Sequence, residues 1–192
     1  MKISNNGLNL IMKYEGCRLK AYKPVKTEKF WTIGYGHYGA DVCEGMTITH
    51  AEAIKLLQKD ISKFESIVNK KNLNLTQNMF DALVSFTYNC GAGNLDKLVY
   101  NRSLREIADA MLKYNKASGH TLLGLVKRRN EERALFLKDY KEIPTDADYE
   151  KIAREVIDGQ WGNGKVRKDR LTEAGYDYKT IQAIVNRIIT GR

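Results

Sequence analysis

Glu15 closes the segment Leu8-Asn9-Leu10-Ile11-Met12-Lys13-Tyr14-Glu15-Gly16, in which Leu8, Ile11, Met12 and Glu15 recur at helical spacing. The carboxylate therefore continues an apolar stripe, on the last turn before a helix-stopping glycine. Apolar surroundings and the negative end of a helix dipole both disfavour the charged form of an acid. The expected result is a glutamate with a raised pKa, suited to give up a proton near neutral pH as a general acid. The same residue also reads as a glutamate snorkelling from the edge of an amphipathic helix. The segment alone does not separate the two readings.

The elements that must hold Glu15 follow along the chain. Phe30-Trp31-Thr32-Ile33-Gly34-Tyr35-Gly36 is aromatic and β-branched with punctuating glycines, and predicts a short twisted strand or hairpin. Thr49-His50-Ala51-Glu52 is a capping box that opens a helix running to about Asn69. Thr76 caps an apolar helix through Met79, Phe80, Leu83, Val84 and Phe86, closed by Gly91-Ala92-Gly93. Ser103-Leu104-Arg105-Glu106 is a second capping box, and a further helix is expected from about Leu125 to Tyr140.

Glu142-Ile143-Pro144-Thr145-Asp146-Ala147-Asp148 reads as a linker. Beyond it, Tyr149, Ile152, Ala153, Val156 and Ile157 form one helical stripe, and Ile181, Ile184, Val185 and Ile188 another. Between them lie the glycine-rich Asp158–Gly164 and a short helix expected from Lys165 to Glu173. The pattern predicts a three-helix module near the lower size limit for independent folding. The expected division is a main domain over 1–141, a linker over 142–148 and the module over 149–192.

Charge narrows the partners. The whole excess of +9 lies in residues 1–141, because residues 142–192 carry 9 Lys/Arg and 9 Asp/Glu. The first part should be drawn to a polyanion, either nucleic acid or an anionic cell wall. The tail, if it binds, should do so by shape and hydrogen bonds. No window approaches a membrane span, and the polar residues of the N-terminal helix do not read as a signal peptide. Cys17, Cys43 and Cys90 show no CxxC spacing and are expected to be free thiols. With three histidines and no paired ligand spacing, no metal or other cofactor is expected.

The segments Glu15-Gly16-Cys17-Arg18-Leu19-Lys20-Ala21-Tyr22 and Trp31-Thr32-Ile33-Gly34-Tyr35-Gly36-His37 resemble the active-site region of the phage-type lysozymes, or muramidases. Gln58-Lys59-Asp60, the run from Phe80 to Gly93, and the run from Gly124 to Arg133 fit the same family in order and spacing. The resemblance covers roughly residues 5–140. It implies an α+β, lysozyme-like fold, with a small β-sheet lobe beside a mainly helical lobe. It also implies hydrolysis of the β-1,4 bond between N-acetylmuramic acid and N-acetylglucosamine. Glu15 would protonate the glycosidic oxygen and Thr32 would help position the attacking water. The family's second carboxylate, an aspartate shortly after the tyrosine, is missing here, since Tyr22-Lys23 leads into Pro24. Glu28, the only acid between Glu15 and Thr32, is the candidate replacement, or else a solvated loop charge. If it does not reach, Thr32 and backbone groups orient the water, or the sugar's own hydroxyl attacks, as in a lytic transglycosylase. The resemblance pairs His37 with Asp60 as a support for the cleft floor. Tyr35, His37, Phe86, Asn89 and Arg129 are candidates to line the glycan groove, with Phe86 equally readable as core. Arg128 or Arg129 could pair with Glu15.

The tail has its own resemblance. Ile152 to Gly164, with Arg167, Arg170-Leu171 and Ala174 to Tyr178, is similar to the Cpl-7-type wall-binding repeat. That family implies recognition of muropeptide by Trp161, Asn163, Gly164, Arg167 and Arg170, with Trp161 also readable as a core anchor. A single copy implies modest affinity, since repeats gain by avidity. Together these readings predict a monomeric endolysin of a phage or prophage, made in the host cytoplasm without a signal peptide. It would act on peptidoglycan after a holin permeabilises the membrane. A nucleic-acid-binding protein is disfavoured by the absence of any recognition-helix, zinc-finger or RNP-type pattern. A non-catalytic wall-binding protein stays open because of the missing aspartate.

Overall fold

The computed structural model describes residues 1–140 and 146–191. The chain divides into two compact units, Met1–Tyr140 and Lys141–Arg192. In the first, helix α1 (Asn5–Glu15) starts on the Ser4 side chain, which accepts the Asn6 amide, and buries Gly7, Leu8 and Ile11. The chain leaves it through Gly16 at φ 68°, a left-handed value natural to glycine. It then enters an antiparallel sheet ordered β1 (Arg18–Tyr22), β2 (Trp31–Gly34), β3 (His37–Gly39). The aromatic segment over residues 30–36, expected as one strand or hairpin, supplies β2 and the turn after it, and β3 begins one residue beyond it. The third, β1, alternates exposed Arg18 and Lys20 with Leu19 and buried Ala21, the period of a half-buried strand. Ala21, Ile33 and Val42 form the sheet's own small core, with Trp31, Met46, Ile48 and Leu56 packed on it.

Helices α2 (His50–Asn69) and α3 (Gln77–Cys90) follow, and α3 is the spine of the unit. Every residue from Met79 to Thr87 is buried, because α3 packs against α1, α2 and the helices that come after it. Both capping boxes form: Thr49 with Glu52 on α2, and Ser103 with Glu106 on α5 (Leu104–Met111). Gly91-Ala92-Gly93 does not simply end the helical run. Gly91 takes φ 81° and lets the chain restart at once as α4 (Ala92–Val99), anchored by buried Leu95 and Leu98. A two-residue hairpin, β4 (Lys116–Ala117) with β5 (His120–Thr121), leads into α6 (Leu123–Leu137). That helix starts two residues before the sequence pattern indicated and ends three residues earlier.

The start of the chain is fastened tightly to α3. Buried Asp81 accepts the Ser4 amide at 2.9 Å, the Ser4 hydroxyl and the Gln77 side chain at 2.8 Å. A Cβ at Gly7 would lie 2.7 Å from Asp81 Cβ and 2.7 Å from Ile3 Cγ1. Gly7→Ala is therefore expected to destabilise the first unit by about 1–3 kcal/mol, the usual cost of overpacking. A urea midpoint equal to that of the parent chain would contradict this.

The second unit is built from α7 (Asp146–Ile157), α8 (Gly164–Glu173) and α9 (Tyr178–Thr190). Ile152, Ala153, Val156, Leu171, Ile181 and Val185 form its core, with Tyr149, Trp161 and Tyr176 against it. Residues 142–145 of the expected linker lie outside the described residues. Residues 146–148, expected as linker too, already belong to α7.

Candidate active site

Glu15 stands where the three-stranded sheet joins the helices. Its side chain is 24% exposed, and Oε1 accepts a hydrogen bond from Arg128 Nη1 on α6 at 2.7 Å. The apolar stripe inferred around it is thus interrupted by a guanidinium that is itself 4% exposed. Arg128 belongs to a buried ion network. Glu132 Oε1 accepts from Ser85 Oγ at 2.7 Å, Arg128 Nε at 3.1 Å and Arg129 Nη2 at 2.9 Å. Arg129 Nε lies 2.8 Å from Glu132 Oε2 as an ion pair without hydrogen-bond alignment. Burial pushes the Glu132 carboxyl up, while the Arg129 charge, the Ser85 hydroxyl and Arg128 pull the other way.

Thr32 lies on the middle strand of the sheet. Strand register sets Thr32 opposite Tyr22 on β1 and Tyr38 on β3, and directly opposed residues project from the same face. Thr32 is buried, whereas Tyr38 is 48% exposed and Tyr22 lies under the Arg18 guanidinium at 4.3 Å. Tyr22 and Tyr38 were not picked out as site residues, because that depends on register. The signal was the alternation of β1. The turn after β2 is tied to α3, where the Tyr88 hydroxyl donates to the Tyr35 carbonyl at 3.1 Å. Burial pushes the Tyr88 hydroxyl up, and the nearby carboxylates of Glu15 and Asp60 add to it. Tyr88 therefore sits where α1, α2 and the sheet meet. Burial and the neighbouring Cys17 likewise push up the Tyr35 hydroxyl.

His37 bonds through Nδ1 to Asp60 on α2 at 2.8 Å, and through Nε2 to Asp41 at 3.1 Å. Burial disfavours the charged ring, but the two aspartates outweigh it and the pKa is raised. A folded-state value above the unfolded one means that protonation supports the fold. This contribution is complete below the ordinary histidine value of about 6.5 and is lost as pH rises through the folded-state value. Denaturant midpoints taken across that range should fall with pH, and the fall should flatten in His37→Gln. An identical slope in the variant would refute the assignment.

Other expected site residues separate into two groups. Asn89 is exposed, with its Oδ1 accepting from Arg129 at 3.1 Å, and is free to meet a ligand. Phe86 and Arg129 are fully buried, so neither presents a surface to a ligand. Phe86 packs edge-on against Tyr114 at 4.9 Å, with the Arg129 guanidinium 5.0 Å from its centroid. Glu28 is half-buried on the loop before β2, its amide bonded to the Val25 carbonyl at 3.0 Å. Its Oε2 is shielded from solvent and has no hydrogen-bond partner among the described residues. In the second unit, Arg167 is occupied locally, donating to the Gly162 carbonyl at 3.0 Å and Asn163 Oδ1 at 2.9 Å. Trp161 is half-buried against Tyr176, and its indole N–H donates to Glu155 at 3.0 Å. Gly164 is exposed at φ 55° and begins α8. Arg170 is exposed.

Comparison with known proteins gives two matched regions. The phage lysozyme family model matches residues 12–132, and the CW_7 repeat matches residues 150–189. The endolysin of Bacillus phage B103 is 48% identical over 143 residues, covering 71% of this chain and 54% of that protein. The endolysin of Lactococcus phage c2 is 48% identical over 142 residues, covering 72% and 61% respectively. The chain thus spans little more than half the length of these relatives. Among solved structures, the muramidase domain of SpmX from Asticaccaulis excentricus matches with a TM-score of 0.63 at 36% identity. That match covers 71% of this chain and 97% of that domain. An endolysin from Escherichia coli O157:H7 phage FAHEc1 matches with a TM-score of 0.61 at 34% identity, covering 74% and 98%.

Proposed function

The chain belongs to the phage lysozyme family, and on that premise we propose that it is an endolysin that hydrolyses peptidoglycan between N-acetylmuramic acid and N-acetylglucosamine. The observation that carries this reading is the placement of Glu15, a partly exposed carboxylate held at 2.7 Å by a buried arginine at the end of the helix that leads into the sheet. Glu15 gives its proton to the glycosidic oxygen as the C–O bond breaks. Water adds to the anomeric carbon, one of its two protons staying on the new hydroxyl and the other passing to a base.

Glu28 is the base in this proposal. A shielded carboxylate oxygen without a partner carries a desolvation cost that a bound water or sugar hydroxyl would relieve. Thr32 orients the water, and Tyr35, His37 and Asn89 support the glycan. The basic first unit favours an anionic wall, and the second unit holds the chain there through muropeptide contacts. In this reading the protein is a monomer that reaches the wall once a holin has opened the membrane.

Glu28 being the only acid between Glu15 and Thr32 favours one second reading, a lytic transglycosylase working with Glu15 alone. Mass spectrometry of digested glycan strands separates these. Reducing ends are expected, with Glu28→Gln slowing their release about 10²–10⁴-fold. Products with 1,6-anhydro ends and an unaffected Glu28→Gln would select the transglycosylase, and no products at all would leave a binding protein.

A further inference from the structure

The second unit carries an open groove of about 510 Å³, lined by Glu155, Gln160, Trp161, Arg170, Glu173 and Ala174. Helix α7 supplies Glu155, α8 supplies Arg170 and Glu173, and the loop between them supplies Gln160 and Trp161. Glu155 is held by the indole N–H at 3.0 Å. The side chains of Arg170 and Glu173 have no hydrogen-bond or ion-pair partner among the described residues.

This lining restricts what fits. An uncharged glycan would cover Arg170 and Glu173 without giving either a charged partner. A polyanion would meet two carboxylates for one guanidinium. A ligand matched to the groove brings an ammonium, a short aliphatic stretch and a carbonyl or carboxylate. The ammonium would go to Glu173, since Glu155 already accepts from the indole, the aliphatic carbons to the indole face, and the oxygen to Arg170.

We propose that this groove binds the diamino-acid residue of a peptidoglycan stem peptide through its free side-chain ammonium. The proposal rests on the reading of the second unit as a wall-binding module, and it adds a selectivity. Cross-linking turns that amine into an amide and removes its charge, so the groove takes uncross-linked stems and passes over cross-linked ones.

The test uses the full chain titrated by NMR with a synthetic alanyl-γ-glutamyl-lysine stem, free or acetylated on the lysine side chain. Acetylation is expected to weaken binding about fivefold, the worth of a partly exposed ion pair. Glu173→Gln, a change at an exposed position, should bind both peptides alike and as weakly as the parent binds the acetylated one. Equal binding of the two peptides by the parent chain, no binding of either, or discrimination that survives in Glu173→Gln overturns the proposal. Pelleting with purified walls keeps the two levels apart. Pelleting despite equal peptide binding rejects the diamino-acid groove alone, whereas failure to pellet rejects the wall-binding reading along with it.

Discussion

Glu15→Gln is expected to slow glycan cleavage roughly 10²–10⁴-fold, the usual worth of a positioned general acid, while the chain still pellets with purified walls. The substitution keeps the shape of the side chain and an oxygen facing Arg128, so the loss falls on the proton and not on the architecture. Arg128 also keeps its 3.1 Å bond to Glu132 and its contact with the Ser85 carbonyl at 3.4 Å. The thermal midpoint should accordingly move by only a few degrees, about what 1 kcal/mol does in a domain of this size. Turbidity loss on walls together with a melting curve reads both effects. Normal lysis by the variant would remove Glu15 from the mechanism.

The largest effect on stability is expected at Glu132. Its side chain and that of Arg129 are 0% exposed, and Arg128 is 4% exposed. Glu132→Ala leaves two guanidiniums and the Ser85 hydroxyl without the oxygen they share. Removing one partner of a buried ion pair typically costs 3–5 kcal/mol, a large part of the 5–15 kcal/mol that holds an ordinary domain together. Urea unfolding measures this directly, and a loss below about 1 kcal/mol would show that water reaches the network. Glu132→Gln should be milder, since an amide oxygen still accepts from Ser85, but the network then carries one positive charge too many.

The helices of the first unit were readable in the sequence where capping chemistry or apolar period marked them. Both capping boxes form as expected, and the α1 stripe buries Leu8 and Ile11. What escaped depended on neighbours distant in the chain. Arg128 and Arg129 are adjacent, so the sequence offered both as partners for Glu15. The rotation of α6 against α3 gives Arg128 to Glu15 and sends Arg129 inward to Glu132, Asn89 and Cys90. Phe86 read equally as a sugar platform or as core, and the enclosure of α3 from Met79 to Thr87 selects the core, which no local pattern distinguishes from burial on one face. Tyr22 and Tyr38 become neighbours of Thr32 only through strand register. In the second unit the groove lining includes Trp161 and Arg170, which were picked out, and Glu155 and Glu173, which were not, because acids on exposed helix turns normally face water.

Gly16 joins Glu15 to the sheet through one residue at φ 68°, with open space where a side chain would stand. It therefore fixes the direction in which the sheet leaves the helix that ends at Glu15. The opposite edge is latched to α2 by His37 and Asp60 at 2.8 Å. The sheet is thus held at both edges, and the strand that carries Thr32 takes its position from a glycine at one end and an ion pair at the other.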